Sequence, residues 1–152
     1  MKSLRESLAG LGVLFAVGVV AVHYGALPQR IPVHFDARGV ANGWGDKSSL
    51  WMVAGVACAL YAGMTLLGLL PASMINVPVS PERRAAAVPM AMEMVGWLKA
   101  EMVWIFAALC AAMVRVGLGR DDGLSIWFLP VVLGVVLGTV VFYLWRMRSI
   151  AA

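Results

Sequence analysis

The chain has 152 residues, of which 62% are hydrophobic and only 13% are charged, and its mean hydropathy is +0.87. A soluble domain of this size cannot bury so much apolar surface, so the composition excludes an ordinary globular protein. The net charge of +4 comes from Lys and Arg residues near the ends of apolar runs, with no basic tract of the kind that binds nucleic acids. Runs of about 20 apolar residues match the helix length that crosses a bilayer. We therefore expect an all-α integral membrane protein with four transmembrane helices in a single membrane domain.

The first two predicted helices cover about residues 7–26 and 48–70. A basic segment precedes the first, as in a secretory signal. The apolar run is longer than a signal core, however, and Tyr24 occupies the minus-three position of its best cleavage site. We therefore expect this segment to be a membrane helix. Pro71 marks the end of the second helix.

The third predicted helix covers about residues 81–118, with its membrane part from about residue 97. Ser80-Pro81-Glu82 supplies an N-cap, a proline in the first turn and an acidic residue near the N-terminus of the helix. Pro89 predicts a kink. The fourth predicted helix covers about residues 124–146 and ends at two arginines.

Two further patterns concern the packing and orientation of the helices. Small residues recur at spacing four, as with Gly12 and Ala16 on the first helix and Gly134 and Gly138 on the fourth. We expect these ridges to pack within the bundle rather than form a dimer interface. A modest excess of Lys and Arg at one side predicts that both termini are cytoplasmic.

The loop 27–47 between the first two helices is the most distinctive polar segment. Residues alternate in polarity from Ile31 to Asp36, which predicts a short extended segment. Asp36-Ala-Arg-Gly39 has the composition of a type I turn, in which the Asp carboxylate accepts hydrogen bonds from backbone N–H groups. The glycines after Asn42 predict further chain reversals. We therefore expect an ordered outer loop.

The loop residues allow three interpretations. His34 and Asp36 can bind a metal or titrate, can belong to a binding surface for a peptide, lipid or partner protein, or can simply stabilise the loop. One His and one Asp without a second His or Cys pair favour the last two interpretations. The sequence also lacks a phosphate-binding glycine loop and the common zinc-protease and serine-hydrolase motifs, so we expect no enzyme activity, cofactor or metal. The candidate binding residues are Arg30, Pro32, His34, Phe35, Asp36, Gly39, Trp44 and Lys47.

Two acidic residues of the third helix are candidate intramembrane polar sites. Glu93 and Glu101 have no Lys or Arg three or four residues away in their own helix. Pairing with Arg residues of other helices is one interpretation, and we favour it. A proton or ion relay is the alternative.

The loop also identifies a family resemblance. Leu27-Pro-x-Arg-Ile-Pro-Val-His-Phe-Asp-x-x-Gly39, followed by Gly43-Trp44-Gly45-x-Lys47, resembles the signature of a bacterial membrane family known as domain of unknown function 1648. The same domain is found as the N-terminal part of SdpI-type immunity proteins. Ile75-Asn-Val-Pro78 followed by Pro81-Glu-Arg-Arg84 resembles a second feature of the family.

The resemblance implies a multi-pass protein of the bacterial inner membrane with no catalytic residue to transfer. SdpI itself is a multispanning protein that protects cells from a secreted peptide toxin. For the present chain, the resemblance implies SdpI-like immunity or envelope sensing through the outer loop, with a peptide or protein partner. A small transporter, channel or accessory subunit of a membrane complex is the alternative.

Overall fold

The computed structural model describes residues 2–77 and 79–149. Its four long helices are α1 (Lys2–His23), α2 (Ser49–Leu67), α3 (Pro81–Gly117) and α4 (Phe128–Ser149). Each is long and apolar enough to cross a membrane. The mostly helical fold with four candidate spans is thus as predicted, and it indicates a multi-pass membrane protein.

The segment between α1 and α2 adds an element that an all-α fold does not contain. Strands β1 (Arg30–Phe35) and β2 (Ala41–Asp46) pair in an antiparallel hairpin. The expected ordered loop is therefore a small two-stranded sheet, and the all-α description needs this correction.

Five helix ends differ from the expected positions by three residues or more. α1 runs from Lys2 to His23 rather than from about 7 to 26, α2 ends at Leu67 rather than near residue 70, and α4 runs from Phe128 to Ser149 rather than from about 124 to 146. The late start of α4 has a physical reason in the chain before it. The N–H of Leu124 donates a hydrogen bond to the carbonyl of Gly39 at 2.8 Å, so this part of the backbone is paired with the hairpin. α3 continues as one helix through Pro89.

The core lies where α1, α2, α3 and the hairpin meet, with α3 touching every other helix. Gly12 and Ala16 of α1 are buried, and a Cβ on Gly12 would lie 2.8 Å from Cγ1 of Val103 in α3. This ridge packs within the bundle as expected. Gly134 and Gly138 of α4 do not, because they are exposed and open space surrounds the position of a Cβ.

The bundle has two ends with different construction. We call the end that carries β1 and β2 the hairpin end, and the end that carries Lys2 and Ser149 the terminus end. Arg5 of α1 and Arg146 of α4 both lie at the terminus end, and each contacts Glu93 of α3. The candidate residues of the loop therefore lie at the opposite end of the bundle from the Glu93 ion pairs.

Candidate functional site at the hairpin

The hairpin is built around glycines that make room for the facing strand. β1 and β2 pair from Arg30 opposite Asp46 to Phe35 opposite Ala41, with register shifts on both sides of His34. Gly43 lies opposite His34, and a Cβ on Gly43 would lie 2.8 Å from the Cβ of His34. The chain reversals that we expected after Asn42 are therefore wrong, because these glycines lie within β2 and accommodate close approach of the strands.

The predicted turn is present and closes the hairpin. The Asp36 carboxylate accepts hydrogen bonds from the N–H groups of Arg38 at 2.8 Å and Val40 at 2.9 Å. Gly39 donates its N–H to the carbonyl of Asp36 and has a φ of 84°, a conformation that glycine adopts without steric cost. The N–H groups of Val40 and Arg38, together with the Arg38 charge, hold the pKa of Asp36 below its usual value of 3.8. The turn thus prefers an ionised Asp36.

The tip of the hairpin is fastened to the segment that leads into α4. Val40 and Gly123 form a single antiparallel bridge, next to the hydrogen bond from Leu124 to Gly39. A Cβ on Gly39 would overlap the Leu124 carbonyl, and a Cβ on Gly123 would overlap the Gly39 carbonyl. Both glycines are therefore needed for two backbones to cross at this point.

The base of the hairpin is fastened to the end of α1. The ammonium group of Lys47 donates to the carbonyls of Tyr24 at 3.3 Å and Leu27 at 3.4 Å, and it lies 4.8 Å from the centre of the Tyr24 ring. Arg30 donates to the Trp44 carbonyl across the two strands at 3.2 Å. The Lys47 contacts fix the hairpin base against the end of α1 and the residues that follow it. The Arg30 contact joins the two strands to each other.

One face of the hairpin belongs to the core. Ile31 is fully buried, Leu27 is 5% exposed, and both pack in the cluster formed with α1, α2 and α3. A Cβ on Gly117, at the end of α3, would lie 2.9 Å from Cδ2 of Leu27. The hairpin is therefore seated on the end of α3 by apolar packing.

Other apolar side chains of the hairpin and its turn are exposed. Val33 is 40% exposed, Val40 is 53% exposed and Trp44 is 49% exposed. Nδ1 of His34 lies within hydrogen-bond distance of Oδ1 of Asn42 on the facing strand. No group of three or more His, Cys, Asp or Glu residues that could hold a metal ion occurs among the described residues.

A cavity of about 540 Å³ extends under the turn, between the hairpin and the helices. Val33 to Ala37 form its hairpin side, and side chains of α2, α3 and α4 form its other walls. Phe106 of α3 and Phe128 of α4 are the largest of these. The exposed apolar side chain of Val33 therefore lies at the edge of a cavity rather than on a flat surface.

A family model described as "Domain of unknown function (DUF1648)" matches residues 11–58, a range that holds most of α1, the complete hairpin and the first half of α2. The chain carries this domain. The second motif, from Ile75 to Arg84, lies beyond the matched range, and Pro78 within it lies outside the described residues. None of the curated proteins and none of the solved structures gives a match to the chain.

The candidate residues of the DUF1648 segment divide into two groups. Most of them stabilise the hairpin. Pro32 is buried and Phe35 is partly buried against the core cluster, while a required backbone conformation or a contact described above applies to Arg30, Asp36, Gly39 and Lys47. His34 and Trp44 are exposed. Sequence reasoning missed Val33 and Val40 as exposed apolar neighbours, and it missed Gly123 as the partner of the turn, since no local pattern marks a contact so distant in the chain.

The two candidate acids of α3 lie away from the hairpin. Glu93 accepts from Arg5 at 3.0 Å and from Arg146 at 3.2 Å, so it pairs with Arg residues of other helices, as we favoured. Glu101 has no Arg partner among the described residues, so the favoured pairing is wrong for this acid, and its Oε1 atom accepts from the Thr139 hydroxyl instead. Its Oε2 atom is buried and has no hydrogen-bond partner among the described residues.

Sequence reasoning missed the role of Lys99 in α3. This residue is only 2% exposed, and its ammonium group lies 2.6 and 2.7 Å from the two carboxylate oxygens of Glu6. The hydroxyl of Thr65 and the ring of Tyr61 complete its surroundings. Lys99 thus joins α1, α2 and α3, whereas its sequence position had indicated only a charge near a helix end.

Proposed function

We propose that this chain is a non-enzymatic protein of the bacterial inner membrane that recognises a peptide or partner protein through its hairpin, as an SdpI-like immunity or envelope-sensing protein. Both termini are cytoplasmic in this proposal, which directs the hairpin to the outer side. One observation carries it: the hairpin is fastened at its tip, its base and one face, and it still exposes Val33, Val40 and Trp44.

The exposed apolar side chains of Val33, Val40 and Trp44 are not needed to hold the hairpin on the bundle. Ile31 and Leu27 already hold the hairpin on the bundle, so Val33, Val40 and Trp44 can be polar without loss of this buried packing. Exposed apolar side chains that the fold does not need are candidates for contact with a partner. A rigid loop on a stable scaffold is also a common position for binding residues.

The sheet offers a second means of recognition. Within residues 2–77 and 79–149, β2 pairs with no strand other than β1. An extended peptide can add to such an edge through backbone hydrogen bonds, while alternate side chains give specificity. Asn42 and Trp44, at alternate positions of β2, are exposed beside that edge.

Complementation tests the proposal. Cells that lack the chain should become more sensitive to a secreted membrane-active peptide, and the wild-type chain should restore protection. The Val33→Ser/Trp44→Ser variant should reach the membrane in equal amount and fail to protect. Trp145→Ser makes the same Trp substitution on an exposed residue at the terminus end and should protect fully. Protection by the hairpin variant equal to that of the wild type would reject recognition through the hairpin.

A small transporter or accessory subunit is the second candidate function. The observation that favours it is the buried oxygen of Glu101 between α3 and α4, which has no hydrogen-bond partner in the described part of the chain, because acidic groups within membrane helices commonly lie on ion or substrate paths. Flux measured in proteoliposomes with the purified chain and with Glu101→Gln tests this candidate. Equal flux through both, or no flux through either, would contradict it.

A further inference from the structure

A groove of about 640 Å³ lies between α3 and α4, apart from the hairpin. Its volume falls in the range of roughly 300–1,000 Å³ that is common for small-molecule sites. The side chains that define its chemistry are Trp97, Glu101, Trp104, Trp127, Phe128 and Val132. The wall is therefore almost entirely apolar and aromatic, with a single acidic residue.

Glu101 differs from the other acids that contact neighbouring helices. Glu6 has Lys99 as its partner and Glu93 has two arginines, whereas Glu101 contacts only the neutral hydroxyl of Thr139 among the described residues. One of its two carboxylate oxygens is left without a partner. A buried polar atom without a partner requires a physical explanation, and a cationic ligand supplies one.

The aromatic residues favour the same charge. Trp97 and Trp104 are four residues before and three residues after Glu101, so all three side chains lie on one face of α3. The faces of Trp rings attract cations, and this attraction strengthens when water is excluded. The groove thus combines one negative group with aromatic walls on both sides.

Other occupants fit less well. A metal ion such as Ca²⁺ needs several oxygen ligands, and no group of metal-binding side chains occurs among the described residues. A lipid chain matches the apolar wall and leaves the Glu101 oxygen unpaired. An anion is repelled by the carboxylate. We propose that the groove between α3 and α4 binds a lipophilic organic cation, with its positive group beside Glu101.

The carboxylate has room to meet such a ligand. A second cavity of about 290 Å³ lies next to Glu101 and is lined by Thr139, Phe142 and Tyr143. Glu101 lines both cavities, so a cationic group in the groove can lie beside its carboxylate. The proposal does not rest on recognition at the hairpin, and binding requires no transport.

Titration with tetraphenylphosphonium tests the proposal on the purified full chain in lipid nanodiscs. Binding is measured by calorimetry and by quenching of Trp fluorescence, since four of the groove residues are aromatic. We expect saturable binding to the wild type and a loss of about tenfold or more for Glu101→Gln, the effect of a charge-assisted contact. Glu82→Gln changes an exposed acid at the start of the same helix and should leave binding unchanged.

Two further measurements distinguish recognition of the positive charge from apolar binding alone. Tetraphenylborate has the same shape and opposite charge, and it should bind far more weakly than tetraphenylphosphonium. Val132→Trp fills the groove and leaves the acid intact, so it should block binding even where Glu101→Gln does not fold. Equal binding of both probes, or unchanged binding by a folded Glu101→Gln variant, would show an apolar lipid groove and overturn the proposal.

Discussion

The two ends of the bundle are held together by different physical means. At the hairpin end, backbone hydrogen bonds, two glycines and buried apolar side chains fix a small sheet against α3. At the terminus end, charged side chains join helices across long distances in the sequence, as Arg5 and Glu93 do. The residues of the DUF1648 motif therefore mainly specify backbone geometry, whereas side-chain charges determine how the helices meet at the terminus end.

Gly39→Ala should produce the largest effect, because it places a Cβ on the Leu124 carbonyl at a φ of 84°. The left-handed backbone and the overlap together predict a loss of about 2–5 kcal/mol in the free energy of unfolding. Denaturant titration in mixed micelles measures this loss. Gly119→Ala is the matched control, since Gly119 has a φ of 66° with open space around it, and it should lose only the backbone part. Equal losses for both variants would show that the backbone crossing contributes nothing.

Glu93→Gln should rank second, because it leaves the buried Arg5 guanidinium without an anionic partner. Breaking a partly buried ion pair predicts a loss of about 2–3 kcal/mol, below the range for full burial. Arg146→Gln removes the more exposed partner and should cost less than about 1 kcal/mol. The same titration measures both variants. A larger effect for Arg146→Gln than for Glu93→Gln would contradict the assigned order of contacts.

Local sequence patterns predicted the parts of the hairpin that depend on neighbouring residues. The alternation from Ile31 to Asp36 gave β1, and the composition of Asp36 to Gly39 gave the turn. The prediction of chain reversals after Asn42 was wrong, because the sequence does not distinguish glycines within a strand from glycines in a reversal unless the facing residue is known. Only the position of His34 opposite Gly43 distinguishes the two.

The features that the sequence did not predict depend on contacts between segments that are distant in the chain. Hydropathy placed the start of α4 too early, since the apolar segment whose Leu124 N–H donates to the hairpin has the composition of the beginning of a helix. Spacing four predicted the ridge at Gly12 and could not show that Gly134 faces outward. Lys99 appeared to be a charge near a helix end, and only the fold brings Glu6 and Thr65 to it.

Asp36→Ala should have an intermediate effect at the hairpin end, because two backbone N–H groups lose their acceptor. We expect a smaller loss of stability than for Gly39→Ala, because the turn backbone itself is unchanged and only the side-chain acceptor is removed. Asp36→Asn keeps a carbonyl oxygen and should lose less. Amide exchange of Arg38 and Val40 reports on both variants. Unchanged exchange in Asp36→Ala would show that the carboxylate does not stabilise the turn.

The pH dependence of the turn follows from the same carboxylate. The folded pKa of Asp36 lies below the usual value of 3.8, so its contribution to stability is complete above that value. The contribution is lost as the pH falls through the folded pKa, when the carboxylate accepts a proton. The protection of the hairpin amides, measured relative to the intrinsic exchange rate at each pH, should therefore fall below about pH 3.8 in the wild type, with a weaker dependence in Asp36→Asn. An equal acid response in both proteins would contradict the assignment.

Trp44→Ser should have the smallest effect on stability, within about 0.5 kcal/mol, because the side chain is half exposed on the free face of the hairpin. Denaturant titration checks this value beside that of Gly39→Ala. A loss of the size expected for Gly39→Ala would mean that Trp44 holds the hairpin rather than remaining free to contact a partner.

Recognition through the hairpin requires the DUF1648 segment to form a rigid hairpin before any partner binds. Amide hydrogen exchange on the isolated chain in nanodiscs measures this rigidity. We expect slow exchange for the N–H groups of Gly39 and Leu124, which are hydrogen-bonded at the tip, and for the paired groups of β1 and β2. Exchange of these groups at the rate of an unstructured peptide would show that the hairpin is not formed in the free chain.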